Sequence, residues 1–177
     1  MIRPILLLAS LPFAALFAPA VTVEPAAPVE PQPFHCQVPC GIYGDLMRID
    51  MLMEDAATIE KGMNSIVELE RADKMNSNQM VRWVMNKDTH AAAIQETVAS
   101  YWLAQRIKAP KDDAGKAKYH EQLALLHGIT VAAMKCKQTT DKAHVETLRS
   151  LAREFSGTYF SKEDLEHIHE HHGKDHK

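Results

Sequence analysis

The sequence predicts an all-α protein, an up-down four-helix bundle with an N-terminal metal-binding hook. Three observations predict it. Seven of the nine prolines fall in residues 1–34, leaving only Pro39 and Pro110 in the body of the chain. Proline breaks helix interiors, so the body is free to form long helices. Beyond residue 44, apolar residues recur at three- and four-residue steps, and no stretch alternates as a strand does. Between the leader and the first helix stands HCQVPCGIY (35–43), dense in metal-ligating side chains.

The first helix is expected from about Asp45 to Leu69, with Leu46, Ile49, Met53, Ala56, Met63 and Ile66 on one stripe and Asp45 as N-cap. The second runs from about Asn78 to Lys108. Met80, Trp83, Val84, Ala91, Ile94, Val98 and Trp102 face inward, Ser77 or Asn78 caps the start, and Pro110 marks the end. The third spans about Asp113 to Lys137, with Leu123, Leu126, Thr130, Ala133 and Met134 inward. The fourth spans about Asp141 to Phe155, with Val145, Leu148, Ala152 and Phe155 inward and Gly157 closing it. Short links between long helices imply antiparallel neighbours and place the bundle at 44–160. A fifth, short helix begins at Ser161, where Ser161 and Asp164 have capping-box spacing, and residues 161–177 end in a histidine-rich tail.

Residues 1–20 read as a signal peptide: Arg3 supplies a positive start, Ile5 to Phe17 an apolar run, and Ala18-Pro19-Ala20 a small-residue cleavage site. An uncleaved anchor is the other reading, since the span from Pro4 to Val23 is long enough to cross a bilayer. The internal prolines favour cleavage, and with it export to the periplasm or the medium without stable membrane association. VTVEPAAPVEPQPF (21–34) is an extended spacer or pro-segment. The whole chain has 177 residues, 46% of them hydrophobic, and a net charge of -3, which fits one globular domain. That charge argues against nucleic acid or an anionic membrane as a partner.

The chemistry is concentrated in the hook, 35–43. His35, Cys36 and Cys40 place an imidazole and two thiols within six residues, and Pro39 and Gly41 force a tight bend. Thiolate and nitrogen donors suit nickel, copper or zinc. A structural zinc site would want a second cysteine pair, and Cys136 stands alone far along the chain. Freeing the N-terminus at His35 adds an α-amine, and the Cys36 amide nitrogen can deprotonate. With the two thiolates this makes a planar N₂S₂ set suited to Ni(II), with the His35 imidazole approaching axially. Such donors stabilise the higher oxidation state and bring a one-electron cycle within reach.

His35, Cys36, Pro39, Cys40, Gly41 and Tyr43 form the pattern HCxxPCGxY, which resembles the nickel hook of the nickel superoxide dismutases. By chance those six residues would coincide on the order of once per 10⁹ positions. The segment NQMVRWVMNKDTH (78–90) also resembles the family's second helix. The resemblance implies a four-helix bundle that disproportionates superoxide to oxygen and hydrogen peroxide at a nickel ion, one per subunit, alternating between Ni(II) and Ni(III). It implies that His35 supplies its amine and imidazole, Cys36 its amide nitrogen and thiolate, and Cys40 the second thiolate. Tyr43 then lies over the open face, Pro39 shapes the turn, a maturation protease cuts before His35, and the protein is a homohexamer. The family's carboxylate partner to the hook histidine falls on Asp50, and the position of its second-helix arginine falls on His90, with Arg82 two turns earlier; each also reads as an ordinary surface residue.

Two features depart from the family. This chain looks exported, which exposes Cys36 and Cys40 to oxidation before nickel arrives. Its tail, EHIHEHHGKDHK (166–177), holds His167, His169, His171, His172 and His176, and reads either as loose nickel capture or as a plain polar tail. Cys136 is expected to be a buried helix cysteine. His120, His127 and His144 are expected at helix surfaces. Two rival readings remain: an exported nickel- or copper-binding helical protein without catalysis, and a Cys36–Cys40 disulfide staple without metal.

Overall fold

The chain's helices form because their inward positions recur at helical spacing; the way they assemble decides where the hook emerges. The computed structural model describes Gly41, residues 43–162, Asp164 and Leu165. It contains α1 (Asp45–Arg71), α2 (Ser77–Glu96), α3 (Lys116–Gln138) and α4 (Ala143–Tyr159), and α2 continues without interruption into a π-helical segment, Thr97–Arg106. Each helix packs on its sequence neighbours, and α4 closes the ring against α1. The neighbours are antiparallel. Asp45 at the start of α1 meets Arg106, while Gly62 further along lies against Lys87. Likewise Asp45 meets Tyr159 of α4, and Glu60 pairs with Arg149 at 2.7 Å. This is the expected up-down four-helix bundle. No described helix is long and apolar enough to cross a membrane.

The inward stripes are largely those anticipated, with informative differences. Ile49, Ala56, Met63, Ile66, Ala91, Ile94, Val98, Trp102, Leu126, Ala133, Val145, Leu148, Ala152 and Phe155 are buried. Leu52, Ile59, Ile129 and Cys136 join them. Val84 and Met134, expected inward, are exposed. On α2 the inward stripe runs Trp83, Lys87, Ala91, Ile94, which turns Val84 outward. A lysine occupies a core position there, so an apolar template passes over Lys87 and takes in Val84 instead. The Lys87 ammonium is only 3% exposed and donates to the Cys136 and Lys137 carbonyl oxygens, each at 2.7 Å. It thereby satisfies carbonyls of the last turn of α3, where a cation also meets the negative end of the helix dipole.

The helix ends differ from expectation in ways that matter for the site. The N-cap of α1 is Gly44, with no side-chain bond, so Asp45 is the first helical residue and its carboxylate is used elsewhere. The cap of α2 is Asn76, whose side chain accepts from the Gln79 N–H at 3.2 Å, rather than Ser77 or Asn78. Gly157 does not end α4, which runs through it to Tyr159. Those four extra residues carry Tyr159 to the hook end of the bundle. The Ser161–Asp164 capping box is present: the Asp164 N–H donates to Ser161 Oγ at 3.3 Å, and the Ser161 N–H to Asp164 Oδ2 at 3.3 Å.

Candidate metal centre

His35, Cys36 and Cys40 lie outside the described residues; the description begins where the chain leaves the hook. Gly41 has φ +78°, in the left-handed region that favours glycine. No atom of the described residues lies within 4 Å of where a Cβ would stand, and the conformation by itself favours glycine here. Two residues on, the Tyr43 side chain is 39% exposed. Its ring lies 4.2 Å from the Arg106 guanidinium and meets the edge of Tyr101 at 5.9 Å between centroids.

Beneath Tyr43, one carboxylate gathers three elements. Asp45 Oδ2 accepts from Arg106 Nη2 at 2.6 Å and from the Tyr159 hydroxyl at 2.8 Å. Its Oδ1 accepts from Arg106 Nε at 2.9 Å and from the Tyr101 hydroxyl. The Arg106 fork therefore grips the carboxylate bidentately, the strong form of an ion pair. Burial alone would raise the Asp45 pKa, but the Arg106 and tyrosine donors outweigh it and hold it below the ordinary carboxylate value. Burial and the Asp45 charge push the Tyr159 phenol up to about 12, and the same causes push Tyr101 up further. Both phenols thus stay protonated donors at neutral pH.

The π-helical segment explains how Tyr101 and Arg106 reach the same group. On an α-helix, residues five apart are about 140° out of phase. The wider i→i−5 turn brings them toward one face, and its closing bond runs from the Ile107 N–H to the Trp102 carbonyl at 2.9 Å. Trp102 lies fully buried beneath, edge-on to Tyr101, Phe155 and Tyr159, each 5.0 Å away between centroids. The result is a rigid aromatic floor under an open cleft of about 580 Å³, lined by Tyr43, Asp45, Met47, Arg106, Tyr159 and Phe160 among others.

The remaining candidates are spread along the bundle. Asp50 is half-buried on α1, five residues below Asp45. The His90 Nδ1 is paired with Asp55 Oδ1 at 2.6 Å, about 15 Å along α1 from Asp45. Arg82 lies exposed beyond it, next to the Trp83–Gly62 contact, roughly 25 Å from the Tyr43 end. The arginine at Tyr43 is Arg106. Sequence reasoning missed it, together with Tyr101 and Tyr159, and read Asp45 as a cap. No spacing rule connects residues 45, 101, 106 and 159; the π-helical turn and the extension of α4 bring them together.

Other possible donors can be set aside. Cys136 is buried in the core, as expected, and burial pushes its thiol up to about 11 against the pull of Lys87 and Arg149. It is therefore inert rather than a ligand. His120 and His127 are exposed and His144 is half-buried, while the histidine-rich tail lies outside the described residues. Among the described residues, no group of three or more His, Cys, Asp or Glu side chains is placed to hold a metal ion.

The family model for nickel-containing superoxide dismutases matches residues 29–163, which take in the hook and all four helices. The chain belongs to the nickel-containing superoxide dismutases. No curated protein and no solved structure matches it. As a nickel-containing superoxide dismutase it is an oxidoreductase whose substrate is superoxide and whose metal is nickel. The residues present fit that metal. The hook holds the only cysteines besides the buried Cys136, and thiolates are the donors a redox-active nickel needs. Near the start of α1, the Arg48 Nε is a buried donor with no hydrogen-bond partner among the described residues.

Proposed function

We propose that this protein disproportionates superoxide at one nickel ion per subunit, which alternates between Ni(II) and Ni(III). In this reading the His35 amine and imidazole, the Cys36 amide nitrogen and thiolate, and the Cys40 thiolate are the ligands. Two superoxide anions and two protons give one dioxygen and one hydrogen peroxide. Bound nickel supplies a one-electron acceptor for the first half of the reaction and a donor for the second. The chain's own residues control access. Tyr43, three residues past Cys40, lines the cleft, where it screens the ion from bulky reductants. Arg48 places positive charge behind the Tyr101 ring, suited to a small anion. Tyr101 and Tyr159 are held by Asp45 and keep their protons, so protons for the product come from solvent or from groups nearer the ion.

The match over residues 29–163 carries this reading, because it spans the hook and the bundle together. The leader at 1–20 and the spacer at 21–34 support export and a cut before His35, which frees the amine. Assembly as a homohexamer, and nickel capture by the histidine-rich tail, belong to the same proposal. Mass spectrometry of the mature chain combined with metal analysis tests it. The expected result is an N-terminus at His35 and one nickel per chain. A mature chain starting at Val21 and containing no nickel contradicts it.

A further inference from the structure

We infer that Arg106 is a positioning residue of this enzyme: set over the Tyr43 ring and locked to Asp45, it fixes where that ring stands at the end of the metal loop. The inference rests on the reading that the hook binds nickel and that Tyr43 screens it.

The geometry has three parts. Tyr43 is more than one-third exposed, and its described ring contacts are the Arg106 guanidinium carbon, 4.2 Å over the ring, and Tyr101 at a near-perpendicular angle. Alone, an exposed tyrosine in a chain segment ahead of a helix would sample several rotamers. Both of its partners are immobilised by the same carboxylate. Arg106 makes two-point contact with Asp45 at 2.9 and 2.6 Å, and Tyr101 donates to it from the same helix. The backbone is also adapted to this contact, because the π-helical segment ending at Arg106 brings Tyr101 and Arg106 onto one carboxylate. π-Helical turns cost hydrogen-bond geometry and tend to persist where function holds them.

The stacking requires arginine. A planar guanidinium can present its edge to a carboxylate and its face to an aromatic ring at once. A lysine ammonium on the same stem can pair with Asp45 or approach the ring, but has no plane with which to do both. Arg106 therefore acts through Tyr43, not on superoxide, and its removal loosens the ring without removing a ligand.

The test uses nickel-loaded enzyme and a double-mutant cycle of Arg106→Ala, Tyr43→Ala and the double variant, with Arg106→Lys as a fourth. Nickel content, kcat and kcat/KM for superoxide are measured for each. Arg106→Ala is expected to keep its nickel and to lose roughly three- to fivefold in kcat/KM, the scale of one partly exposed cation–π contact. The double variant is expected to match Tyr43→Ala alone, and Arg106→Lys is expected not to rescue. Multiplicative losses in the double variant, or full rescue by lysine, overturn the inference, since either shows Arg106 acting as a charge independently of Tyr43. Wild-type activity in Arg106→Ala overturns it as well. If Arg106→Ala does not fold, Arg106→Met takes its place in the cycle, since it keeps the packing of the stem but has neither charge nor planar group. A nickel-loaded wild type without dismutation overturns both the functional reading and this inference, whereas an active wild type with a silent Arg106 overturns the inference alone.

Discussion

Replacing Cys36 or Cys40 with serine is expected to abolish nickel binding and dismutation together while leaving the bundle folded. A serine hydroxyl is a hard, weakly acidic donor and does not replace a thiolate on nickel. The hook has no spare sulfur, since Cys136 is fully buried in the core and held as a thiol. On the proposed ligand set, loss of one thiolate removes both a bond and the electron donation that opens the higher oxidation state. The helices take their stability from the core, to which the described hook residues Gly41 and Tyr43 add no buried apolar side chain. Nickel content and activity should fall to background in either variant, with helical circular dichroism and thermal midpoint close to those of the wild-type apoprotein. Activity surviving either change would show that the ligand set is wrong.

Trp102→Ala is expected to be the most damaging single change in the bundle, costing about 3–5 kcal/mol. The indole is fully buried, surrounded by Tyr101, Phe155, Tyr159 and Phe160, and its removal opens a cavity that four rigid rings cannot close. The indole N–H has no hydrogen-bond partner among the described residues, so the loss is one of packing and buried area and not of a polar contact. Trp102→Phe should recover a large part of it. The damage reaches function, because Tyr101 and Tyr159 both rest on Trp102 and both hold Asp45. Thermal denaturation of the apoprotein should show a midpoint lowered by roughly ten degrees or more. A change of a degree or two would mean that the aromatic floor is not the centre of the core.

The bundle was legible in the sequence because its core obeys a simple period. Ile49, Ala56, Met63 on α1 and Val145, Leu148, Ala152, Phe155 on α4 recur at helical steps and are buried as that recurrence requires. The errors cluster where a residue works against its type. Lys87 fills a core position and so shifted the perceived stripe of α2 onto Val84. Gly157 looks like a helix stop yet sits inside α4, because the burial of Phe155 and the anchoring of Tyr159 on Asp45 carry the helix past it. The hook's candidate donors are read from their closeness in the chain alone, and they lie outside the described residues. The Asp45 cluster was not legible, because its members are separated by up to 114 positions and meet only through the antiparallel packing and the π-helical turn. A carboxylate next to a glycine reads as a cap until the donors facing it are known.

The central claim is that nickel held by the hook changes oxidation state during turnover. Electron paramagnetic resonance on the mature enzyme after exposure to superoxide tests it most directly. The expected result is a signal from one unpaired electron on nickel, with nitrogen splitting that changes in His35→Ala, which keeps the amine but removes the imidazole. A protein that dismutates superoxide equally well when loaded with zinc, with no paramagnetic nickel at any stage, would contradict it.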